Sequence, residues 1–505
     1  MSFLHKVNCF FICLIPIFLI SGPFIPDLLV TYLGIFFLFF CIYKNKYKEY
    51  KNFIVIFFLL LYIYLNINSI FSFNPKISFQ SSAPYLRVVI FIFCLSFYVR
   101  KNYNVLKFLY FITYFSFLFL LIDSIFQYLS GYNIFNYKID ASLRVSSFFG
   151  KELIMGSYVS RLLPILIAIS YLINLNFKNY LNIILLVISA TLIILSAERL
   201  SFFYFIIILI FYFIIEFSKK NLFLLFISIV LISFILSINK NSYQRIIIHT
   251  KNQIQESDRI IGFSQRHLMH YFTAYEMFLE RKILGHGLKS FRYLCDDDKY
   301  LQKIIKKNKK YEIVAQQDGY IELRREIGNS QSRIINVIYK DNTKEIYLNN
   351  FNRYWYQKEK DLYYEKKIEW DNPKSYFVYK DENYYIGPKY NFKKGDSLFV
   401  NYDFGGRCNT HPHNIYMQFL SEIGMLGFLF FFFMFCYVAF YLFKILFKLM
   451  SNRFLEKNEK SKFFLLLSIF LAMFPLFPSG SYFNNWMLII SYLPIGIYLA
   501  LSKEI

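Results

Sequence analysis

The sequence predicts an all-α polytopic membrane protein of about twelve transmembrane helices, with one large extracytoplasmic loop that holds amphipathic helices and a small β-rich insert. Three observations lead there. The 505 residues are 56% hydrophobic and 22% aromatic, with 63 Phe and 44 Tyr, more apolar surface than a soluble core can hide. The charged residues, only 18% of the chain, fall in short runs between apolar stretches of about the 20 residues that cross a hydrocarbon layer. The lysines and arginines also alternate between rich and poor loops, as the positive-inside rule requires.

The apolar runs lie near 7–21, 24–43, 52–71, 84–99, 105–130, 153–174, 180–196, 200–217, 221–238, 415–443, 462–477 and 483–501. The first, within MSFLHKVNCFFICLIPIFLISG, has the basic start of a signal peptide but no A-x-A-like cleavage site, and is read as a transmembrane helix. With a cytoplasmic N-terminus, the inside loops collect Lys44, Lys46, Lys48, Lys51, Arg100, Lys101, Lys107, Lys178, Lys219, Lys220, Lys444, Lys448, Arg453, Lys457, Lys460 and Lys462. The short outside loops hold Lys76, Lys138, Arg144, Lys151 and Arg199. Residues 1–238 are then helices 1–9, residues 239–413 an outer loop, and residues 414–505 helices 10–12, with both termini inside. The net charge of +23 sits beside apolar segments, so it speaks for membrane topology and against nucleic-acid binding.

The outer loop changes composition, carrying 22 of the 33 acidic residues. Apolar residues at helical spacing in RHLMHYFTAYEMFLERKILG predict amphipathic helices over about 250–294. Short β-branched or aromatic segments such as RIINVIYK, KEIYLNN, SYFVYK and DSLFVNYDF predict the β-rich insert at about 310–405. Five cysteines, Cys9, Cys13, Cys41, Cys94 and Cys436, fall in apolar spans. Cys295 and Cys408 lie in the outer loop, where an oxidising compartment favours a disulfide that would clip the base of the insert.

The stretch CNTHPHNIYMQFLSEIGMLG at 408–427 ends the outer loop and opens an apolar helix, and its His413-Asn414 pair is followed by Gly424 and Gly427. This pattern resembles the signature of O-antigen ligases. LRVSSFFGKELIMGSYVSRLLP at 143–164, SAERLSF at 196–202 and RHLMHYFTAYEMFLERKILGHG at 266–287 resemble further segments of the O-antigen ligase and polymerase family, in the same order. The resemblance covers roughly 140–295 and 408–430, and the β-rich insert departs from the short loop of typical members. It implies a glycosyltransferase of the bacterial inner membrane, with the loop in the periplasm. The donor would be a glycan on undecaprenyl diphosphate and the acceptor a glycan or the lipid A core, with membrane lipids as surroundings. It further implies Arg199 and Arg266, with Arg144, on the diphosphate and His413 as general base.

The residues support that chemistry without the family. Arg87, Arg144, Arg161, Arg199, Arg266 and His413 all map to the outer face or outer half of the membrane. Arg161 lies roughly 12 Å into its helix at 1.5 Å per residue, a costly place unless it meets an anion or a wet cavity. Arginines stabilise developing phosphate charge with planar, permanently protonated donors, so neither a metal nor another cofactor is expected. A histidine titrating near neutrality can take the proton of an attacking hydroxyl, and a helix N-terminus disfavours its imidazolium form.

Plainer readings stand beside these. The arginines, Arg87, Arg144 and Arg161 above all, are equally read as snorkelling anchors. Glu152, Glu198 and Asn414 are orienting groups or helix caps. His411-x-His413 is half a metal site without a partner at ligand spacing, and Asp296-Asp297-Asp298 is a solvated loop. A polymerase of the same family is the nearest alternative to a ligase. A lipid-linked oligosaccharide flippase is a more distant one, because midplane positions are apolar apart from Asp123.

Overall fold

The computed structural model describes residues 3–45, 53–218 save 141, 174 and 176, 239–251, 265–300 save 298, seven strand backbones between 310 and 400, 408–475 save 452 and 453, and 478–502. Isolated positions between 223 and 237 are also described, so the span expected at 221–238 lies mostly outside the described residues.

Among the described residues, nine helices precede the loop: α1 (Phe3–Phe18), α2 (Phe24–Tyr43), α3 (Phe53–Ile70), α4 (Pro75–Ser82), α5 (Tyr85–Lys101), α6 (Asn104–Ser130), α7 (Met155–Leu172), α8 (Lys178–Ser196) and α9 (Arg199–Ile215). In the loop, a turn at Lys240–Tyr243 runs into a π-helical segment at Gln244–Ile248, followed by α10 (Gln265–Glu280) and a short helix at Phe291–Leu294. After it come α11 (Ile415–Met450), α12 (Lys457–Ala472) and α13 (Asn485–Leu501). Among the described residues, seven helical stretches are long and apolar enough to cross a membrane, with shorter apolar helices at α1, α9 and α13. The chain is a multi-pass, mostly helical membrane protein.

Helix α7 is the hub. It packs along α8, α9 and α12, while α5 lies between α2 and α13, and α1 runs beside α6. From Met155 to Tyr171 it is buried on almost every side, the pattern of a helix surrounded by others and not one facing lipid. Without water in the hydrocarbon, apolar burial against neighbouring helices gives no hydrophobic gain, so close packing holds the bundle. The core is accordingly aromatic, with Tyr85, Tyr98, Tyr158, Tyr492, Phe91, Phe117 and Phe419 all fully buried.

The antiparallel alternation brings the N-terminal ends of α7, α9, α11 and α13 and the C-terminal ends of α6 and α8 to one end of the bundle. Asp123, read from sequence as a midplane residue, works at this end. Its carboxylate accepts from Ile134 N at 3.0 Å and Ser147 Oγ at 2.5 Å. Gln127 accepts from Ser146 N at 3.1 Å and Ser147 N at 2.7 Å. Together they seat the 131–150 loop that carries Arg144.

Within 301–407, described backbone strands run β1 (Lys310–Gln317), β2 (Tyr320–Arg324), β3 (Asn336–Tyr339), β4 (Ile346–Asn349), β5 (Phe377–Lys380), β6 (Asn383–Ile386) and β7 (Ser397–Val400), paired in the order β3-β4-β7-β1-β2-β6-β5. The β4–β7 pair is parallel and the others are antiparallel. The remainder of the insert expected at about 310–405 lies outside the described residues.

Candidate functional site

The two sequence motifs dock on each other. Helix α11 breaks into a π-helical segment at Phe419–Ile423, and Gly424 takes a positive φ of 64°. The break orphans carbonyls that a lipid environment cannot satisfy. The Gly-x-Gly turn after α10 supplies partners: His286 N donates to Ser421 O at 3.0 Å, Gly287 N to Glu422 O at 2.7 Å and Met425 N to Lys282 O at 2.8 Å. Tyr64 from α3 donates to Ile423 O, and Asn68 donates to Leu284 O. A Cβ on Gly424 would lie 2.3 Å from Ile283 O, and one on Gly285 2.6 Å from Gly424 N. Only glycine permits this approach. The paired glycine motifs therefore fix α10 against the mouth of α11.

That docking places four histidines together. His413, in the left-handed region at φ 56°, ends the loop. Its carbonyl accepts from Ser479 N at 2.8 Å, which ties it to the turn before α13. Its ring centroid lies 4.2 Å from His411, 5.1 Å from His267 and 5.2 Å from His270. His267 and His270 are one turn apart on α10, and neither stood out in the sequence; their i, i+3 spacing in RHLMH was the available signal. Tertiary packing, not sequence spacing, brings these histidine neighbours to His411 and His413. Among the described residues, no three His, Cys, Asp or Glu side chains are set to share a metal ion.

Burial, and then the charges of His411, His267 and His270, lower the His413 pKa to about 3. Burial likewise takes His267 and His411 down to about 4. His413 is a neutral imidazole at physiological pH, which corrects the expectation that it titrates near neutrality. Its Nε2 lies 2.9 Å from Asn409 Nδ2. Since that amide nitrogen only donates, the ring presents its lone pair at Nε2. Asn414 proves to be a cap, its Oδ1 accepting from Tyr416 N at 2.9 Å and Met417 N at 3.1 Å while Nδ2 donates to Pro475 O at 2.7 Å.

A cationic group adjoins the histidines. Arg199 opens α9, and its charge reaches His267. Arg144 is close enough for Arg199 and Arg245 to repel it, and Arg245 also repels Arg199. Arg245, on the π-helical segment and unremarked in the sequence, has a buried Nε with no hydrogen-bond partner among the described residues. Arg144 spends part of its fork on the fold: Nε donates to Ser196 O and Nη2 to Leu153 O, both at 2.9 Å, and Nη2 lies 3.6 Å from Glu198. Glu198 also accepts from Gly156 N at 3.0 Å, Ser157 Oγ at 2.8 Å and Ser201 Oγ at 3.0 Å, so this carboxylate joins the starts of α7 and α9.

The other arginines sit differently. Arg161 is 6% exposed inside α7, donating to Ser157 O at 3.3 Å and facing the Tyr204 ring at 5.8 Å. Arg87 pairs with Asp27 at 2.6 Å, which also accepts from Asn485, and serves to link α2, α5 and α13. Arg266 lies in the first turn of α10 beside His267, and its side chain is outside the described residues. Glu152 is exposed.

Cys295 and Cys408 are joined, Cα to Cα 5.1 Å. The bond belongs to a small cluster of Ala274, Met277, Phe291, Leu294 and Tyr300, and it holds the segment before His413 against α10.

No curated protein and no solved structure matches the chain. Residues 184–321, running from within α8 through α9 and α10 into β2, match the family model described as O-antigen ligase. Over that stretch, which carries Arg199, Arg245, Arg266 and the α10 histidines, the chain is similar to the O-antigen ligase family.

Proposed function

We propose that the protein is an integral-membrane glycosyltransferase of ligase type, which moves a glycan from undecaprenyl diphosphate to an acceptor sugar of the lipid A core at the periplasmic face of the inner membrane. One observation carries the reading: an unprotonated imidazole, His413, stands at a helix mouth beside the clustered arginines Arg144, Arg199 and Arg245. Arg199, Arg245 and Arg144 receive the donor diphosphate, with Arg266 at the same end of α10. Their mutual repulsion at a half-buried site is relieved by an anion.

In the transfer, the acceptor hydroxyl oxygen bonds to the anomeric carbon while the bond from that carbon to the phosphate oxygen breaks. The electron pair leaves on undecaprenyl diphosphate, where the guanidinium groups stabilise it. The hydroxyl displaces Asn409 from His413 Nε2 and passes its proton there. A bound diphosphate opposes the lowering of the His413 pKa, so the base strengthens when donor is present. The ring needs no cofactor for this step.

The spacing from His413-Asn414 to Gly424 and Gly427 supports a ligase over the related polymerase. Charge asymmetry supports cytoplasmic termini and a periplasmic loop. Deleting the gene distinguishes the readings. A ligase loss leaves polymer on undecaprenyl diphosphate and none on lipid A core, a polymerase loss leaves core bearing a single repeat, and a flippase loss leaves the lipid-linked units facing the cytoplasm.

A further inference from the structure

A second cationic pair adjoins the histidine cluster through His411, where Arg199 adjoins it through His267. Lys289 and Arg292 flank the start of the short Phe291–Leu294 helix, just after the Gly-x-Gly turn. We propose that this pair is the acceptor subsite and recognises an anionic group, a phosphate or carboxylate, on the sugar that receives the glycan. This rests on the transferase reading above and adds the chemical class of its second substrate.

The pair is fixed at its base by three contacts. Leu288 N donates to Ser78 Oγ at 2.8 Å, Phe291 N donates to Glu422 at 3.4 Å, and the Cys295–Cys408 bond follows one turn later. Arg292 lies near enough for its charge to act on His411, whose ring touches His413, so the pair borders the base. Lys289 is half-buried, and Arg292 repels it. Glu422 acts on both, but it is 0% exposed and its oxygens accept from Gln418 Nε2 at 3.0 Å and Phe291 N. It offsets the pair's charge without forming an ion pair with either.

The same wall carries unused donors. Arg292 Nε, Ser290 Oγ and Ser479 Oγ are buried polar atoms with no hydrogen-bond partner among the described residues. Ser479 joins the base to its neighbour, since its N donates to His413 O and its carbonyl accepts from His411 Nε2 at 3.1 Å. Buried donors are normally satisfied, and unpaired donors on the residues beside these two cations are matched by an oxyanion with several acceptor oxygens. Seating the donor anion by the group that acts on His267 and the acceptor anion by the pair that acts on His411 keeps their charges at different neighbours of His413.

The test uses the full-length protein in detergent and two probes: a core-type oligosaccharide bearing one phosphomonoester, and the same oligosaccharide after phosphatase treatment. Wild type should bind the phosphorylated probe about tenfold more tightly than the treated one, a preference that high salt weakens. The double variant Lys289→Gln with Arg292→Gln should lose that preference while binding undecaprenyl diphosphate normally. The double variant Lys289→Arg with Arg292→Lys should retain most of it. Equal binding of both probes by wild type overturns the proposal, as does a Gln double variant that still discriminates or one whose defect is in donor binding. Discrimination intact in a protein that transfers nothing would overturn the transferase reading instead, because binding needs no turnover.

Discussion

Replacing both Cys295 and Cys408 by serine removes a crosslink between residues 113 apart in sequence. Chain entropy scales as about 2.1 + 1.5R ln n cal/mol/K, so a closed loop of this size contributes up to about 4.8 kcal/mol at 25 °C. The bond also acts as a tether. His413 is five residues from Cys408, so an extended chain reaches at most about 17 Å, and the base stays within that distance of the α10 cluster even if local contacts open. Without the bond, only the contacts around Ser479 and α10 hold it. We expect a fall in melting temperature of up to about 5 °C and a parallel loss of transferase activity. Either single serine variant should equal the double variant, because each removes the same bond. The assays are thermal denaturation in detergent, activity with and without reductant, and non-reducing peptide mapping after acid quenching. Recovery of both cysteines as alkylated free thiols, or a double variant melting within about 1 °C of wild type, would refute the tether.

Further outcomes follow from the site. His413→Ala should lower transfer by about 10² to 10⁴ while the protein accumulates normally, and Arg199→Lys should also be severe because a point charge cannot replace a planar fork; normal activity from both would remove the site. The lowered pKa values of His413, His411 and His267 mean that the unfolded chain binds more protons than the native one between about pH 4 and 6.5. Stability therefore should be full above pH 6.5 and fall as pH drops towards 4, with no acid limb in kcat/KM near 6.5; a limb centred there would show an ordinary exposed histidine. Gly424→Ala should reduce accumulation of folded protein, since a Cβ would sit 2.3 Å from Ile283 O at a φ of 64°, and accumulation at wild-type level contradicts the docking of the two glycine motifs. Transfer should survive EDTA, because arginines supply the charge that a metal otherwise would, and loss restored by a divalent cation would count against that account.

Much of the site was legible because its chemistry needs rare residues in costly places. An arginine beside an apolar run, or a histidine at a helix mouth, is visible in one dimension, so Arg199, Arg144 and His413 stood out. Residues of ordinary appearance did not. His267 and His270 fall within the amphipathic pattern of RHLMHYFTAYEMFLERKILG, and Arg245, Lys289 and Arg292 carry no local signal that sets them apart from other basic residues. The partner of Arg87 was not legible, because nothing local shows that Asp27, 60 residues earlier, would meet it at 2.6 Å.

The sequence by itself determined the solvent and the cysteine partners. Apolar runs of bilayer length and the change of composition at the loop are local properties, and compartment chemistry leaves two thiols to find each other. Tertiary structure decided which polar groups act together. A π-helical break in α11 is held because a glycine turn about 140 residues earlier, together with Tyr64, supplies its missing donors, and that docking brings the α10 histidines to His413. It also decided the protonation state of the base, since burial and neighbouring imidazoles, not the residue type, set the free energy of charging a ring.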